Sequence, residues 1–266
     1  MDKKYVLLTG ANGGIGKSIL EELIKNNFEV ISLDISNSNI SELNTKFIKC
    51  DVTKKEDLAN SLSALSSITS SLFAIVNAIG IFKMQSIIEG SEDDFKKIFD
   101  VNFFGIYSIN KIMFPLLQKG SKIINITSEV ARHTSQPFEG YYTLSKTALD
   151  NYTNVLRREC NYLGIKVIKV QSGSMNTKLL LSANDEYQEM ANNSKHFKKP
   201  LTKLKYMMDR ELKKTNDPSI VAKKIVKILN KKHTKISYKI KNSFALSLLG
   251  ALPERIQDYI YTRVIK

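Results

Sequence analysis

The chain has 266 residues, 42% of them hydrophobic, which suffices to cover both faces of a sheet in one α/β domain spanning 1–266. Its two cysteines, Cys50 and Cys160, stand far apart with no CxxC or Cys/His cluster, so neither a disulfide framework nor a zinc site is encoded and no metal is expected. The formal net charge is +14, yet residues 1–194 carry 21 basic and 21 acidic side chains, 195–241 carry 16 and 3, and 242–266 carry 3 and 2. One stretch therefore holds nearly the whole excess, and it reads either as a solvated surface or as a region that attracts an anionic substrate, cofactor tail or lipid headgroup.

Taken in chain order, apolar runs of strand length alternate with segments of helical spacing. Strands are expected at 5–9, 29–33, 46–50 and 72–77, with helices over 15–26 and 54–65 between them. The order continues with a long helix over 91–117, a strand at 122–127, a helix over 142–163 and a strand at 165–171. After Gly173 the pattern loosens into a long polar and basic insertion; Asp217 and Pro218 then open a helix to about Leu229, and a strand follows near 236–240. Apolar strands separated by helices imply a doubly wound parallel sheet of the Rossmann type, in three α/β/α layers, with ligands at the carboxyl ends of the strands. Nowhere do about 18 apolar residues run together, the length a membrane span would need. The first ten residues lack the apolar stretch of a signal peptide, so a reducing, cytoplasmic setting is expected.

Directly after the first strand comes Thr9-Gly10-Ala11-Asn12-Gly13-Gly14-Ile15-Gly16, opening a helix that carries Ile19, Leu20, Leu23 and Ile24. Such a turn lets backbone N–H groups approach a pyrophosphate at the positive end of the helix. Gly10 would make the turn, Gly14 the close approach and Gly16 the tight helix–sheet contact. Asp34 ends the second strand, 24 residues after Gly10. A carboxylate there can accept hydrogen bonds from both adenosine ribose hydroxyls and would repel a 2′-phosphate, favouring NAD(H) over NADP(H). It can equally serve as a turn residue before Ile35-Ser36-Asn37.

Tyr142 and Lys146 stand four apart in a helical segment, so both side chains project from one face. A free phenol has a pKa near ~10, and lowering it by roughly two to three units requires about 3–4 kcal/mol of phenolate stabilisation. A desolvated ammonium nearby, helped by a positive nicotinamide, can supply that. Ser128, 14 residues before Tyr142, would offer its hydroxyl to the same substrate oxygen.

Together these residues resemble the short-chain dehydrogenase/reductase family over nearly the whole chain. The pieces follow the family's order: the TGxxxGxG loop as Thr9 to Gly16, the acidic Asp34, Asp51-Val52 after the third strand, Asn77-Ala78-Ile79-Gly80, Asn102, Ser128, and the YxxxK pair. The resemblance implies an enzyme that interconverts a secondary alcohol and a ketone, with Tyr142 as acid or base and Asn102, Ser128 and Lys146 as its partners. It implies cofactor contacts from Gly10, Asn12, Gly14, Ile15 and Gly16, and from Asp34. Asp51 and Val52 would flank the adenine, Asn77 would stiffen the central sheet beside Ala78 and Gly80, and Asn102 would hold a water in a proton relay through Lys146. Lys146 would also bind the nicotinamide ribose, and Tyr142 would face that ring. The family usually has Pro-Gly after the sixth strand, whereas this chain reads Gln171-Ser172-Gly173-Ser174-Met175-Asn176-Thr177; Gly173 and Thr177 remain as candidate cofactor contacts. Thr177 also reads as a helix N-cap.

The carboxyl third divides into a substrate lid at 174–216 and a helix-strand-helix region at 217–266, following a cofactor-binding and catalytic core at 1–173. Its tail, including Leu252-Pro253-Glu254-Arg255-Ile256, is similar to those of relatives acting on steroids, retinoids and other lipophilic alcohols. Phe244, Leu246, Leu248, Leu249 and Leu252, then Ile256, Ile260 and Val264, have helical spacing suited to core packing or a subunit contact, with a peripheral membrane or substrate-entry role as the alternative. His133 could line the substrate pocket, while His196 and His233 lack metal-ligand spacing. Family relatives pair the helices corresponding to 91–117 and 142–163, implying a homodimer or homotetramer. A non-catalytic dinucleotide sensor is the competing reading. Nucleic-acid binding is not expected, since the basic stretch has no aromatic interleaving.

Overall fold

The computed structural model describes residues 3–132, 135–212 and 215–265. Its first half runs β1 (Tyr5–Thr9), α1 (Gly14–Lys25), β2 (Glu29–Asp34), β3 (Lys46–Lys49), α2 (Lys55–Ile68) and β4 (Leu72–Asn77). Next come α3 (Glu92–Phe99), a π-turn (Asp100–Gly105), α4 (Ile106–Ile112), a short 3-10 turn (Phe114–Leu116) and β5 (Leu117–Ser128). A second 3-10 turn (Glu129–Ala131) precedes α5 (Gly140–Asn161) and β6 (Lys166–Ser172). The chain closes with α6 (Lys178–Leu181), α7 (Ala183–Asn193), α8 (Lys198–Leu212), α9 (Ser219–Leu229), β7 (Ser237–Ile240), α10 (Phe244–Leu249) and α11 (Glu254–Ile265).

Among the described residues the seven strands form one parallel sheet in the order β3-β2-β1-β4-β5-β6-β7, the doubly wound arrangement expected. Alternation of side chains along each strand feeds two cores. Val6 and Leu8 of β1, with Ala74, Val76, Ile124 and Ile126, pack under α1 and α9. Leu7, Ile75 and Ile123 point the other way, into a layer shared with Leu58 and Leu65 of α2 and Ile109 of α4. Burial on both faces is why these strands read as continuous apolar runs.

The helix expected over 91–117 is broken. The π-turn interrupts it around Asn102, and Pro115, which lacks an N–H and biases its predecessor toward extended backbone, ends it, so the chain enters β5 already at Leu117. The basic insertion is more ordered than its composition suggests. Tyr187 and Met190 of α7 and Leu201 and Leu204 of α8 pack around Met84, with Phe82, Phe138 and Phe197 alongside. Exposed lysines between these positions dilute the helical pattern in the sequence. The tail departs from core packing: Phe244 is 82% exposed and Leu248 58%, and α10 buries no residue.

No helix among the described residues is long and apolar enough to cross a membrane. Both cysteines are buried free thiols. The described residues contain no cluster of three or more His, Cys, Asp or Glu able to hold a metal ion.

Candidate active site

At the carboxyl end of β1, Gly10 adopts φ +70°, and a Cβ there would lie 2.7 Å from the Ile79 nitrogen. Only glycine permits both the left-handed turn and the close approach of the β4 loop. A Cβ on Gly16 would stand 1.9 Å from the Gly10 carbonyl oxygen, so the third glycine is required by the loop's own backbone. Gly14 faces Thr177, whose Cγ2 would be 2.6 Å from an added Cβ; the glycine loop and the segment after β6 thus close on one another. Ile15 and Ala78 pack against the adjoining core.

Helix α1 begins with Gly13 as N-cap, with no side chain capping it and no acidic residue in its first turn. The Gly14, Ile15 and Gly16 amides are the orphan donors of a helix start, and none finds a protein acceptor in the loop before it. Such a positive, uncapped, side-chain-free terminus fits a dinucleotide's pyrophosphate.

Asp34 accepts the Asn12 N–H at 2.9 Å through one carboxylate oxygen and the Ile35 N–H at 2.8 Å through the other. Its turn role is therefore realised, and each oxygen retains lone-pair capacity for a ribose hydroxyl. Asn12 in turn accepts the Asn39 N–H at 2.8 Å, tying the glycine loop to the turn after β2. Asp51 is organised locally: it accepts the Thr53 hydroxyl at 2.7 Å and backbone N–H at 3.0 Å, and the hydroxyl bond is the leading cause that lowers its pKa. Val52 is buried against Gly105 of the π-turn.

Asn77 is the hub of a buried polar network across the sheet. It accepts from the Thr9 hydroxyl at 3.1 Å and donates to the Asn110 and Asn125 side-chain oxygens, each at 2.8 Å. Asn125 donates onward to Thr153 of α5 at 3.0 Å. Fully satisfied buried networks of this kind rigidify what they connect.

The catalytic candidates converge beside this network. Lys146 is 4% exposed, donates to the Ile126 carbonyl at 3.4 Å, and lies 5.7 Å from the centre of the Tyr142 ring. Its Nζ is also 3.2 Å from where a Gly80 Cβ would stand. The π-turn aims Asn102 inward, where its amide donates to the Ile81 carbonyl and to Ser145, both at 3.0 Å, and its oxygen accepts the Ile81 N–H at 2.8 Å. The carboxamide is thus first a brace for the loop after β4, with one oxygen lone pair left for the expected relay water. Ser128 is buried, and its hydroxyl favours the ionised form of the Tyr142 phenol.

The protein's own groups hold the phenol well above neutrality: burial pushes Tyr142 up to about 12, the Ser128 hydroxyl opposes this, and the carboxylates of Glu139 and Glu129 add to the rise, so an acidic phenol would need the positive nicotinamide as well as Lys146. Burial also brings Lys146 down to about 8, so the amine keeps its charge at neutral pH but loses it about two units earlier than a solvated lysine.

Sequence reasoning missed the two carboxylates. Glu129 directly follows Ser128, and Glu139 lies three residues before Tyr142, a spacing that places both on one side of a helix start. Glu139 is itself raised to about 7, first by burial and then by Glu129. Glu139→Gln is therefore expected to lower the phenol's pKa and shift the rising, acid-side limb of kcat/KM for alcohol oxidation, which follows the deprotonated phenol, to lower pH. A pH profile that stays in place or moves upward would contradict this coupling.

Two further candidates have contacts the sequence did not indicate. Gly173 is pressed by the Lys241 carbonyl, 2.1 Å from where its Cβ would be, so a backbone contact with the segment after β7 explains this glycine. Thr177 holds the N-cap position of α6 without capping it; its hydroxyl donates to the Met175 carbonyl at 3.4 Å. His133 lies outside the described residues. Phe82, also missed, stands edge-on to Tyr142 with ring centres 5.3 Å apart.

The sequence profile for short chain dehydrogenases matches residues 4–188. The chain is 30% identical over 227 residues to the short-chain dehydrogenase anuB of Penicillium roqueforti, covering 84% of this chain and 77% of that protein. It is 28% identical to retinol dehydrogenase 16 of Mus musculus over 69% of this chain, and 27% identical to 17-beta-hydroxysteroid dehydrogenase type 6 of Rattus norvegicus over 66%. The match spans only 60% and 58% of those two proteins. A short chain dehydrogenase family protein from Francisella tularensis superposes with a TM-score of 0.75 at 28% identity, covering 90% of this chain and 97% of that one.

Proposed function

Because the chain belongs to the short chain dehydrogenase family, we propose that it interconverts a secondary alcohol and a ketone with NAD(H), on a lipophilic substrate of hydroxysteroid-, retinoid- or acyl-like character. The family's oxidoreductases bind nicotinamide dinucleotides and act on small molecules. The observation that carries the reading is the convergence of Tyr142, Lys146, Ser128 and Asn102 at the strand ends beside an uncapped helix start.

When bound, the nicotinamide supplies the hydride acceptor or donor and, oxidised, a positive charge beside the phenol. Tyr142 takes the proton from the alcohol oxygen or returns it to the ketone. Ser128 donates a hydrogen bond to that same oxygen and holds the phenol in place. Lys146 and the Asn102 brace line the path by which the phenol's proton is replaced. Phe82 and the apolar cluster behind it support a lipophilic substrate, as do the names of the retinol and steroid relatives. The carboxylates near the phenol count against an anionic group at that end of the pocket.

Preference for NAD rests on Asp34, followed by Ile35-Ser36-Asn37 with no basic residue to receive a phosphate. Steroid, retinoid and acyl substrates assayed with both dinucleotides should give kcat/KM at least tenfold higher with NAD, and Asp34→Ala should erase most of that ratio. Equal or reversed preference in the unaltered chain would remove the NAD assignment.

We also propose a homo-oligomer built through α4 with the π-turn before it and α5, whose outer sides expose Phe104, Tyr107, Leu144 and Val155. Val155→Asp should then halve the mass measured by light scattering. An unaltered chain that is already monomeric would refute this pairing. A cytoplasmic setting agrees with the two reduced, buried thiols.

A further inference from the structure

Strand β7 ends the sheet, and Ser237, Tyr238 and Lys239 of its free edge line a depression of about 850 Å³ that adjoins a second of about 180 Å³ through the shared His233, Thr234 and Lys235. The larger also takes in Arg132, Lys224, Lys231 and Lys239, and the smaller adds Arg157 and Lys166. Seven Lys or Arg residues and one His therefore line the groove, and no Asp or Glu does. Among the described residues none of the seven forms an ion pair. Lys122, whose ammonium donates to the Lys231 carbonyl at 3.0 Å, falls to about 8, through burial first and then the charges of Lys166 and Lys4.

Lysine on an edge strand commonly blocks strand-to-strand aggregation. That accounts for Lys239 but not for Arg132 and Lys224, which join it in the larger depression from other elements, or for Arg157 and Lys166, which line the adjoining one. A concave surface of one sign concentrates counter-ions, and an edge strand also turns alternate backbone N–H groups outward as donors. We propose that the β7 edge is a second ligand site, for a linear chain of phosphates such as inorganic polyphosphate or a nucleotide's triphosphate tail. A nucleic acid fits less well. The groove's aromatic residue, Tyr238, is buried under the Lys224 ammonium at 5.2 Å, leaving no surface on which a base could stack. Four strand residues span about 13 Å, which accommodates a short run of linked phosphates.

The full chain would be titrated with tripolyphosphate, medium-chain polyphosphate, ATP and a 20-base-pair duplex, by calorimetry at several salt concentrations. Polyphosphate should bind, with affinity falling steeply as salt rises. ATP binding as tightly as tripolyphosphate would identify the nucleotide tail as the source, and preference for the longer chain would identify polyphosphate. Lys231→Glu/Lys235→Glu/Lys239→Glu should weaken binding at least 100-fold while turnover stays within twofold. Should that variant fail to fold, Lys231→Gln/Lys235→Gln/Lys239→Gln should still weaken it about tenfold with an unchanged melting curve. The same number of reversals elsewhere, Lys25→Glu/Lys49→Glu/Lys55→Glu, should cost less than threefold. No polyphosphate binding, an equal loss in that control, or tighter binding of the duplex per phosphate would overturn the assignment.

Discussion

Tyr142→Phe is expected to reduce turnover by roughly 10³-fold or more, the upper range for a positioned acid or base, while dinucleotide binding changes little. The substitution removes one hydroxyl and keeps the ring that packs edge-on against Phe82. Ser128 beside it caps the turn after β5 by accepting the Val130 N–H at 3.4 Å, a contact the substitution leaves in place. The informative comparison is between stopped-flow turnover and cofactor titration by fluorescence quenching. A variant that keeps more than a tenth of the activity would mean that another group moves the proton.

Lys146→Met should abolish activity and, unusually for an active-site change, stabilise the protein. The amine is buried, makes a single long hydrogen bond, and is brought from its ordinary 10.5 to about 8 by burial. Below pH 8 both folded and unfolded chains carry the proton, and the folded one bears the full cost of a desolvated charge. Between 8 and 10.5 the unfolded chain binds more protons, so stability rises with pH until the cost is gone. At one pKa unit per 1.36 kcal/mol this cost is roughly 3 kcal/mol, so the methionine variant should melt about 5–10 °C higher at pH 7. The gap should narrow above pH 8 and close near 10.5. Calorimetry across that range checks both sign and window; a variant that melts lower at pH 7 would show that the amine is better solvated or better paired than its surroundings indicate.

These two residues were legible because a helix puts positions four apart on one face, and the glycine cradle because backbone approach leaves few alternatives to glycine. The central strands were legible for a similar reason: burial on both faces leaves apolar runs that no exposed segment imitates. Other features depend on contacts between distant segments. Asn102 lies in a π-turn that its own sequence, Asp100-Val101-Asn102-Phe103-Phe104-Gly105, does not distinguish from helix. Helices α7 and α8 show their apolar sides only against Met84 and Phe82, and Glu139 gains its influence on Tyr142 from burial that composition cannot register. The tail misled in the opposite direction, since the spacing of Phe244 and Leu248 promises a buried face that the fold leaves open.

The π-turn has a consequence for how this segment can change. It contains one residue more than an ordinary helical turn would hold, and each residue advances a helix by about 100°. Deleting a single position between Asp100 and Gly105 would straighten the segment into continuous α-helix while leaving its two flanks in phase, so Phe95 and Phe99 would keep their bearing on Ile106 and Ile109. The ring contact of Phe95 with Tyr141, 4.8 Å between centres, would outlast the step that withdrew Asn102 from Ile81. The extra residue therefore turns Asn102 inward without disturbing the packing on either side of it.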